Sequence, residues 1–407
     1  MNSTRRVFAS AVTLLALGTA PSAQAPIFDP TAGQTPSSDP ADAGRRAGGW
    51  TFTPALVYGG TYDDNALVRE KRDIAPGDYT TSINPSGELA FSGHRGEFLA
   101  DYGGTFVEYR ELTSLNSFDQ RGSISARRLM TRRLTLFART SATAVPTTEL
   151  LGLVGVPFFR LGSRLADAHG GVEAALTKRT TLRASYDIQW VDFDRDPLLV
   201  VVLLGGHSQG GALSVRHALS KRVSLIADSD FQRAWLVDGD RFDVQNTEGG
   251  VELRASESVR LVGAIGFSRL DVSGLAARTG PAWRLGVTRR LRRSTVEVLY
   301  SRSFVPSYGF GGTTQNEQLT SSLIAPLGRH FYTRSSLSWG RNEPLVEGGL
   351  KLTSSWVEGS IGYVLRPWMR IEGYYNGMHQ NIAVPGGLVD RNLAGFQIIT
   401  TKPTRIR

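Results

Sequence analysis

The sequence predicts an all-β fold: a transmembrane antiparallel up-and-down β-barrel of about 18 strands, with about 16 as the alternative count. Three observations predict it. The first residues have the composition of an export signal, the following 350 or so residues alternate polar and apolar side chains, and short basic turns recur at a nearly regular spacing.

The N-terminus has the three parts of a signal peptide. Arg5 and Arg6 are followed by an apolar run from Val7 to Ala20, and small residues come next. The run is too short to span a bilayer as a helix, and no later segment holds 18 consecutive apolar residues. We therefore expect a signal peptide at residues 1–25, cleaved after Ser22, Ala23 or Ala25. Residues 26–49, rich in Pro, Ala, Gly and Asp, should form a disordered periplasmic leader.

Period-2 alternation dominates from Trp50 to about Thr400. In Thr181–Asp192 the apolar residues Leu182, Ala184, Tyr186, Ile188 and Trp190 alternate with Arg183, Ser185, Asp187 and Gln189. Successive side chains of a strand point to opposite faces, so each such segment has one apolar and one polar face. We expect one barrel domain at residues 50–400, followed by a basic tail at residues 401–407.

Short polar turns separate these segments in pairs. They recur every 35 to 47 residues and are marked by Gly93, Thr131, Lys178, Lys221, Glu257, Arg292, Gly328 and Arg366. Longer linkers rich in Gly, Asp or Pro alternate with them. Short turns at one end and longer loops at the other are typical of outer-membrane barrels, with the turns in the periplasm. Eight turns join sixteen strands, and Trp50–Thr61 and Leu388–Thr400 add one each.

A soluble β-protein would also alternate, and two features favour the membrane. The polar faces carry many charges, as a wet lumen would. Six of the seven Trp residues are expected near strand ends, where aromatic girdles lie at membrane interfaces. These are Trp50, Trp190, Trp235, Trp283, Trp339 and Trp368, with Trp356 in mid-strand.

Composition excludes several kinds of function. The chain has no Cys, which rules out disulfides and thiolate chemistry, and its six His are scattered. The formal charge of +9 is dispersed and forms no basic arm, so we expect no nucleic-acid partner. Nucleophile-elbow and zinc-protease motifs are missing, and nothing in the sequence pairs Ser208 with His169. We expect no enzyme activity and no cofactor.

The segment Thr61–Leu67 (TYDDNAL), followed by Gly77-Asp78-Tyr79 and Ile83-Asn84-Pro85, resembles the β-barrel porin 2 family. The resemblance covers roughly residues 50–400. It implies an 18-stranded outer-membrane porin, exopolysaccharide or capsule as cargo, and a periplasmic polysaccharide-export protein as partner. Outer-membrane barrels usually end on an aromatic residue that the barrel assembly machinery reads, whereas here a basic tail follows the last strand.

The alternation places ten charged residues inside the predicted lumen as candidate pore-lining residues: Arg139, Arg183, Asp187, Arg216, Asp228, Asp230, Arg284, Arg334, Arg370 and Glu372. They either guide a polar solute or form salt-bridge ladders that hold the barrel open. Asp63-Asp64-Asn65 could bind a cation, but an Asx-bonded turn is favoured. The basic turns could dock an acidic partner, with phospholipid headgroups as the favoured alternative.

These expectations lead to one main functional hypothesis. A passive hydrophilic conduit in the outer membrane would let a polysaccharide slide past weak polar contacts. The alternatives are a general or solute-specific nutrient porin, and a structural or adhesive barrel with a plugged lumen.

Overall fold

Eighteen strands close into one antiparallel barrel, as the alternation predicts, and a short nineteenth strand extends it. The computed structural model describes residues 49–70, 76–153, 155–195, 203–272, 276–309, 313–345, 349–383 and 387–406. The predicted signal peptide, and the leader up to residue 48, lie outside these ranges. In the described part of the chain, no helix is long and apolar enough to cross a membrane.

The first nine strands have the following bounds: β1 Gly49–Asp63, β2 Asp78–Ser92, β3 Gly96–Tyr109, β4 Ser117–Thr131, β5 Leu134–Val145, β6 Ser163–Ala175, β7 Thr180–Phe193, β8 Gly206–Ala218 and β9 Val223–Leu236. The others are β10 Arg241–Arg254, β11 Val259–Val272, β12 Arg278–Arg290, β13 Thr295–Pro306, β14 Thr313–Pro326, β15 Phe331–Pro344, β16 Leu352–Arg366, β17 Met369–Ile382, β18 Leu388–Thr401 and β19 Thr404–Ile406. Two single-turn 3₁₀ helices, Thr113–Leu115 and Thr148–Leu151, lie in loops.

The barrel closes where β1 pairs with β18, from Ala55 opposite Thr401 to Asp63 opposite Leu393. Closure joins the first strand to the last, which a barrel in lipid requires because hydrocarbon offers no hydrogen-bond partners. Pro403 interrupts the last strand, and β19 then pairs with β1 from Trp50 to Phe52. The basic tail, the feature that fits the family pattern least well, therefore continues the barrel wall.

The two ends of the barrel differ, as the turn pattern predicts. Eight connections of two to four residues lie at the end that holds Gly49 and Thr401, which we call the turn end. The nine connections at the opposite loop end reach seventeen residues, in the β5–β6 loop. One predicted linker, Gly239–Asp243, is shorter than expected because β10 already begins at Arg241.

Side chains alternate between an outward face and an inward face. The outward positions expose large apolar side chains, such as Leu56, Ile83, Leu213, Ile265 and Leu285. A monomeric soluble protein rarely exposes a continuous apolar belt, whereas a lipid-facing barrel wall must. The belt is bordered by aromatic pairs: Trp50 with Phe91 at 5.0 Å between ring centroids at the turn end, and Tyr62 with Tyr79 at 5.0 Å at the loop end.

The expectation that all Trp residues but one lie near strand ends is partly wrong. Trp50, Trp190, Trp235 and Trp368 are near strand ends, but Trp283 lies well inside β12 and Trp339 inside β15. Trp356 is in mid-strand as expected, yet it is buried on the inward face. The other inward residues next to Trp356 on β16, Ser354 and Glu358, are polar. The sequence pattern therefore does not indicate that another segment inside the barrel covers Trp356.

Candidate functional site

Two groups of inward side chains bring half of the ten candidate residues into ion pairs. In the first group, Glu252 of β10 accepts from Arg216 of β8 and from Arg260 of β11, the latter at 2.6 Å. In the same group, the guanidinium of Arg284 on β12 pairs with Asp228 of β9 and lies 3.3 Å from the carboxylate of Glu248 on β10. The Arg284 side chain crosses β11 and β10 to contact Asp228. It can do so because small residues of β11 lie on its path: Ala264 is opposite Arg284, and Gly266 is opposite Glu248.

The second group surrounds Glu372 of β17. The guanidinium of Arg334 donates to both of its carboxylate oxygens, at 2.6 and 2.7 Å, and Tyr332 and Gln397 donate at 3.3 Å each. Arg370 lies over the Tyr332 ring, with its guanidinium carbon 6.0 Å from the ring centroid. Glu372 is almost fully buried, and Arg334 supplies the opposite charge that a buried carboxylate needs.

The remaining four candidates are not brought into either group. Arg183 stacks on Phe137 at 4.5 Å, and Asp230 accepts a hydrogen bond from Asn246 at 2.9 Å. Asp187 is buried with one unpartnered carboxylate oxygen. Arg139 stays exposed although it faces inward, so water reaches the interior of the barrel beside β5.

The first ion-pair group should stabilise the barrel. Glu252→Gln leaves two half-buried arginines without their carboxylate, so we expect a loss of about 1–3 kcal/mol in the free energy of unfolding. Urea unfolding in lipid vesicles, followed by Trp fluorescence, measures this loss. The control is Asp271→Asn, because Asp271 pairs with Arg269 at 3.8 Å on the exposed outward face, where removal should change stability by less than about 1 kcal/mol. Equal losses for the two variants would contradict a structural role for the lumen pairs.

The β5–β6 loop, residues 146–162, folds into the loop end of the barrel, and we call it the mouth loop. Its apolar residues Leu151, Leu153, Val156 and Leu161 pack on inward side chains of the wall. The strand residues of this cluster are Val145, Val191, Phe193, Leu236, Phe242, Val244 and Leu270 at inward positions, together with Phe304 near the end of β13. Burial of this apolar surface stabilises the position of the loop inside the barrel, by about 25 cal/mol for each Å² of apolar area removed from water.

Arg391 of β18 anchors the mouth loop from the other side of the lumen. Its guanidinium donates to Asp63 of β1 at 2.6 Å and to Glu149 of the mouth loop at 2.5 Å. The side chains of Arg391, Asp63 and Glu149 are 7%, 1% and 2% exposed. One buried arginine thus links the closing strand pair of the barrel to the loop.

Further contacts extend the mouth loop across the barrel. The backbone N–H of Phe158 donates to Gln380 of β17 at 2.5 Å, and the Phe158 ring meets Trp356 of β16 edge-on. Arg160 donates to the carbonyls of Ala66 and Leu115, at 3.1 and 2.7 Å. The loop therefore contacts walls on both sides of its own strands, which explains the burial of Trp356.

The β13–β14 loop touches the mouth loop near two glycines, one in each loop. Gly155 (φ 74°) and Gly309 (φ 87°) both have left-handed backbones, which favour glycine. Next to them Ser307 donates to the Gly155 carbonyl at 3.5 Å, and Leu204 and Gly309 exchange backbone hydrogen bonds of 2.6 and 2.9 Å. Tyr308 between them is fully buried, and burial raises the pKa of its phenol to about 12, so it is neutral at physiological pH.

The Asp63-Asp64-Asn65 segment forms the bonded turn that the sequence favours. The Asn65 backbone N–H donates to Asp63 at 3.0 Å, and Asp64 accepts from the Asn392 backbone at 2.6 Å. In the described part of the chain, no group of His, Asp and Glu is arranged to hold a metal ion. Ser208 is bonded to Gln232, whereas His169 stacks on Phe137, so the two have different neighbours.

The sequence matches no protein-family model and no curated protein. Among solved structures, the chain is similar to Acinetobacter baumannii OccAB3 at 11% identity, covering 87% of this chain and 99% of that chain, with a TM-score of 0.44. It is also similar to Pseudomonas aeruginosa OccK3 (OpdO) at 12% identity, covering 87% and 96%, with a TM-score of 0.45. The copper transporter OprC is 10% identical, covering 85% and 65%, with a TM-score of 0.43.

Proposed function

We propose that the protein is an outer-membrane channel that lets small hydrophilic solutes diffuse past the mouth loop. The exposed apolar belt and its aromatic borders fit a bilayer, and a signal peptide at residues 1–25 would export the chain. The inward faces carry the polar and charged side chains that a water-filled lumen needs.

The position of the mouth loop is the main reason to propose small solutes. It is anchored by Arg391 on one side of the lumen and by the apolar cluster on the other, so it lies in the path of anything that crosses. A small solute can pass beside a fixed loop. A polysaccharide chain would need the loop displaced throughout its transit, against a buried ion pair and a packed apolar cluster.

Polysaccharide export and a periplasmic export partner rest on the resemblance of Thr61–Leu67 and Ile83-Asn84-Pro85 alone. In the structure, Asp63 and Asp64 of that segment serve to bind β18 and, through Arg391, the mouth loop. This local role accounts for the motif without a polymer. The mouth loop and this local role therefore support a general or solute-specific nutrient porin over polysaccharide export.

The basic turns fit the periplasmic side of this arrangement. Arg132, Arg133, Lys178, Arg179 and their counterparts in the other turns are exposed. The counterparts are Lys221, Arg222, Arg292, Arg293, Arg329 and Arg366. They would contact anionic phospholipid headgroups, which attract basic side chains at the membrane surface.

Liposome swelling with neutral sugars of increasing length tests the proposal. We expect fast entry of monosaccharides and a steep fall in rate for longer oligosaccharides, because the mouth loop limits the free cross-section. Liposomes without protein and liposomes with heat-unfolded protein are the controls. Equal rates for short and long sugars would favour a polymer conduit, and no entry of any sugar would favour a plugged barrel.

A further inference from the structure

A group of inward side chains from β6, β7 and β9, joined by Tyr308 of the β13–β14 loop, holds three carboxylates that form no ion pair in the described part of the chain. It consists of Asp167, Asp187, Gln189, Asp230 and Tyr308, and we call it the acidic recess. We propose that the acidic recess binds the cationic head of an organic amine that crosses the channel. The inference rests on the proposed channel function and specifies its solute class.

The sheet register brings the recess residues together. Asp187 and Gln189 are inward neighbours on β7, and Asp167 of β6 lies opposite Gln189. Gly210 of β8 lies opposite Asp187, and Ala212 lies opposite Asp230 of β9. A Cβ at Gly210 would lie only 3.3 Å from an Asp187 carboxylate oxygen, so the glycine makes room for that carboxylate.

Most charged groups close to the recess are acidic. Arg284 and Arg216 pair with Asp228 and Glu252, and Arg183 lies over the Phe137 ring. Arg139 lies opposite His169, two strands from Asp187. The carboxylate of Asp167 is near Asp187, and those of Glu248, Asp187 and Asp228 are near Asp230. His169, opposite Asp187, lies 3.5 Å from the guanidinium of Arg183. Carboxylates that repel one another in this way attract a cation.

Unpartnered polar atoms supply the second, independent indication of a ligand. In the described part of the chain, one carboxylate oxygen of Asp187 and the side-chain oxygen of Gln189 have no hydrogen-bond partner. These residues are only 8% and 5% exposed. Gln189 lies between Asp167 and Ser208 in the sheet, and Ser208 and Asp187 are the polar neighbours of Tyr308. Buried acceptors normally find a donor, and an ammonium group brings three.

The surroundings favour an organic cation with an aliphatic stem. No His, Asp and Glu group in the described ranges has the arrangement of a metal site. Above the recess, Val191 of β7 and Tyr308 belong to the apolar cluster under the mouth loop. An alkylammonium head would meet the carboxylates and the Tyr308 ring, to which cations are attracted, while its stem would lie on apolar side chains.

Block of the channel by n-hexylammonium in planar bilayers tests this inference. The recess variant is the double substitution Asp187→Asn and Asp230→Asn. The control is Asp101→Asn with Glu358→Gln, which removes the same charge from inward positions on other strands. We expect the half-blocking concentration to rise about tenfold or more in the recess variant, as expected for the loss of charge-assisted hydrogen bonds, and to stay within about twofold in the control. Hexanoate should block neither.

Two outcomes would overturn the acidic recess as a cation site: equal loss of block in both double variants, or equal block of the unsubstituted channel by hexanoate and hexylammonium. Heat-dependent gel migration shows whether each variant is folded. If the unsubstituted barrel conducts no current, the proposed channel function fails. Calorimetric titration of the detergent-solubilised barrel with hexylammonium then still tests the recess by itself, and no binding would refute it.

Discussion

Replacing Arg391 with alanine is expected to raise the single-channel conductance severalfold. The substitution leaves Asp63 and Glu149 as buried carboxylates without their shared cation, and breaking a buried ion pair in this way costs about 3–5 kcal/mol. The mouth loop can escape this cost by leaving the lumen, where Glu149 regains water. The loop then no longer obstructs the channel, and currents in planar bilayers should become larger and noisier.

Two further variants make this result specific. Glu149→Gln keeps the pair of Arg391 and Asp63 in the wall and releases only the loop, so its conductance should rise as well, by less. Arg341→Ala removes an outward arginine that pairs with Glu343, and should leave conductance unchanged. If folded Arg391→Ala barrels conduct like the unsubstituted protein, the anchor does not hold the loop in the path.

Placing an arginine on the outward face is expected to prevent stable insertion into membranes. Leu285 of β12 is 53% exposed in the middle of the apolar belt, and Leu285→Arg should cost about 2–4 kcal/mol near the bilayer midplane. Leu299→Arg is the matched control, because Leu299 packs beside Gly286 on the inward face and lies two residues from Glu297. Folding yield into lipid vesicles, read by heat-dependent gel migration, separates the two.

If the outward face lies in the membrane, the two variants should differ in folding yield. The control should fold with nearly the yield of the unsubstituted protein, since a wet lumen tolerates a charge beside a carboxylate. Equal yields for Leu285→Arg and Leu299→Arg would mean that the outward face is not in hydrocarbon.

The strands could be predicted from the sequence because the physical cause of the pattern is local. Each inward or outward position is set by its parity along one strand, so Thr181–Asp192 alone indicates most of β7. The short turns are equally local, and the count of strands follows from them. Even Thr313–Pro326, where the alternation is weak, is a strand, because its neighbours on both sides supply hydrogen bonds.

The mouth loop could not be predicted, since its position depends on contacts between distant parts of the chain. Glu149 and Arg391 are 242 residues apart, and the sequence around neither residue indicates that the two form an ion pair. Arg391 was not among the candidate residues, although its position on β18 has inward parity. Its importance comes from full burial between two carboxylates, which alternation does not encode.

Parity alone also could not separate paired lumen charges from free ones. The sequence treats Asp228 and Asp230 alike, two residues apart on the same face of β9. In the structure Asp228 pairs with Arg284, whereas Asp230 accepts a hydrogen bond from the neutral amide of Asn246. The difference arises from the small residues Ala264 and Gly266 of β11, which let Arg284 reach one carboxylate.

Single-channel recording of the purified barrel in planar bilayers tests the central claim, a water-filled channel limited by an anchored loop. We expect discrete insertion steps, each with a current proportional to voltage, and larger steps from folded Arg391→Ala barrels. Barrels that insert, as shown by protection from protease, but give no current in either form would contradict the claim.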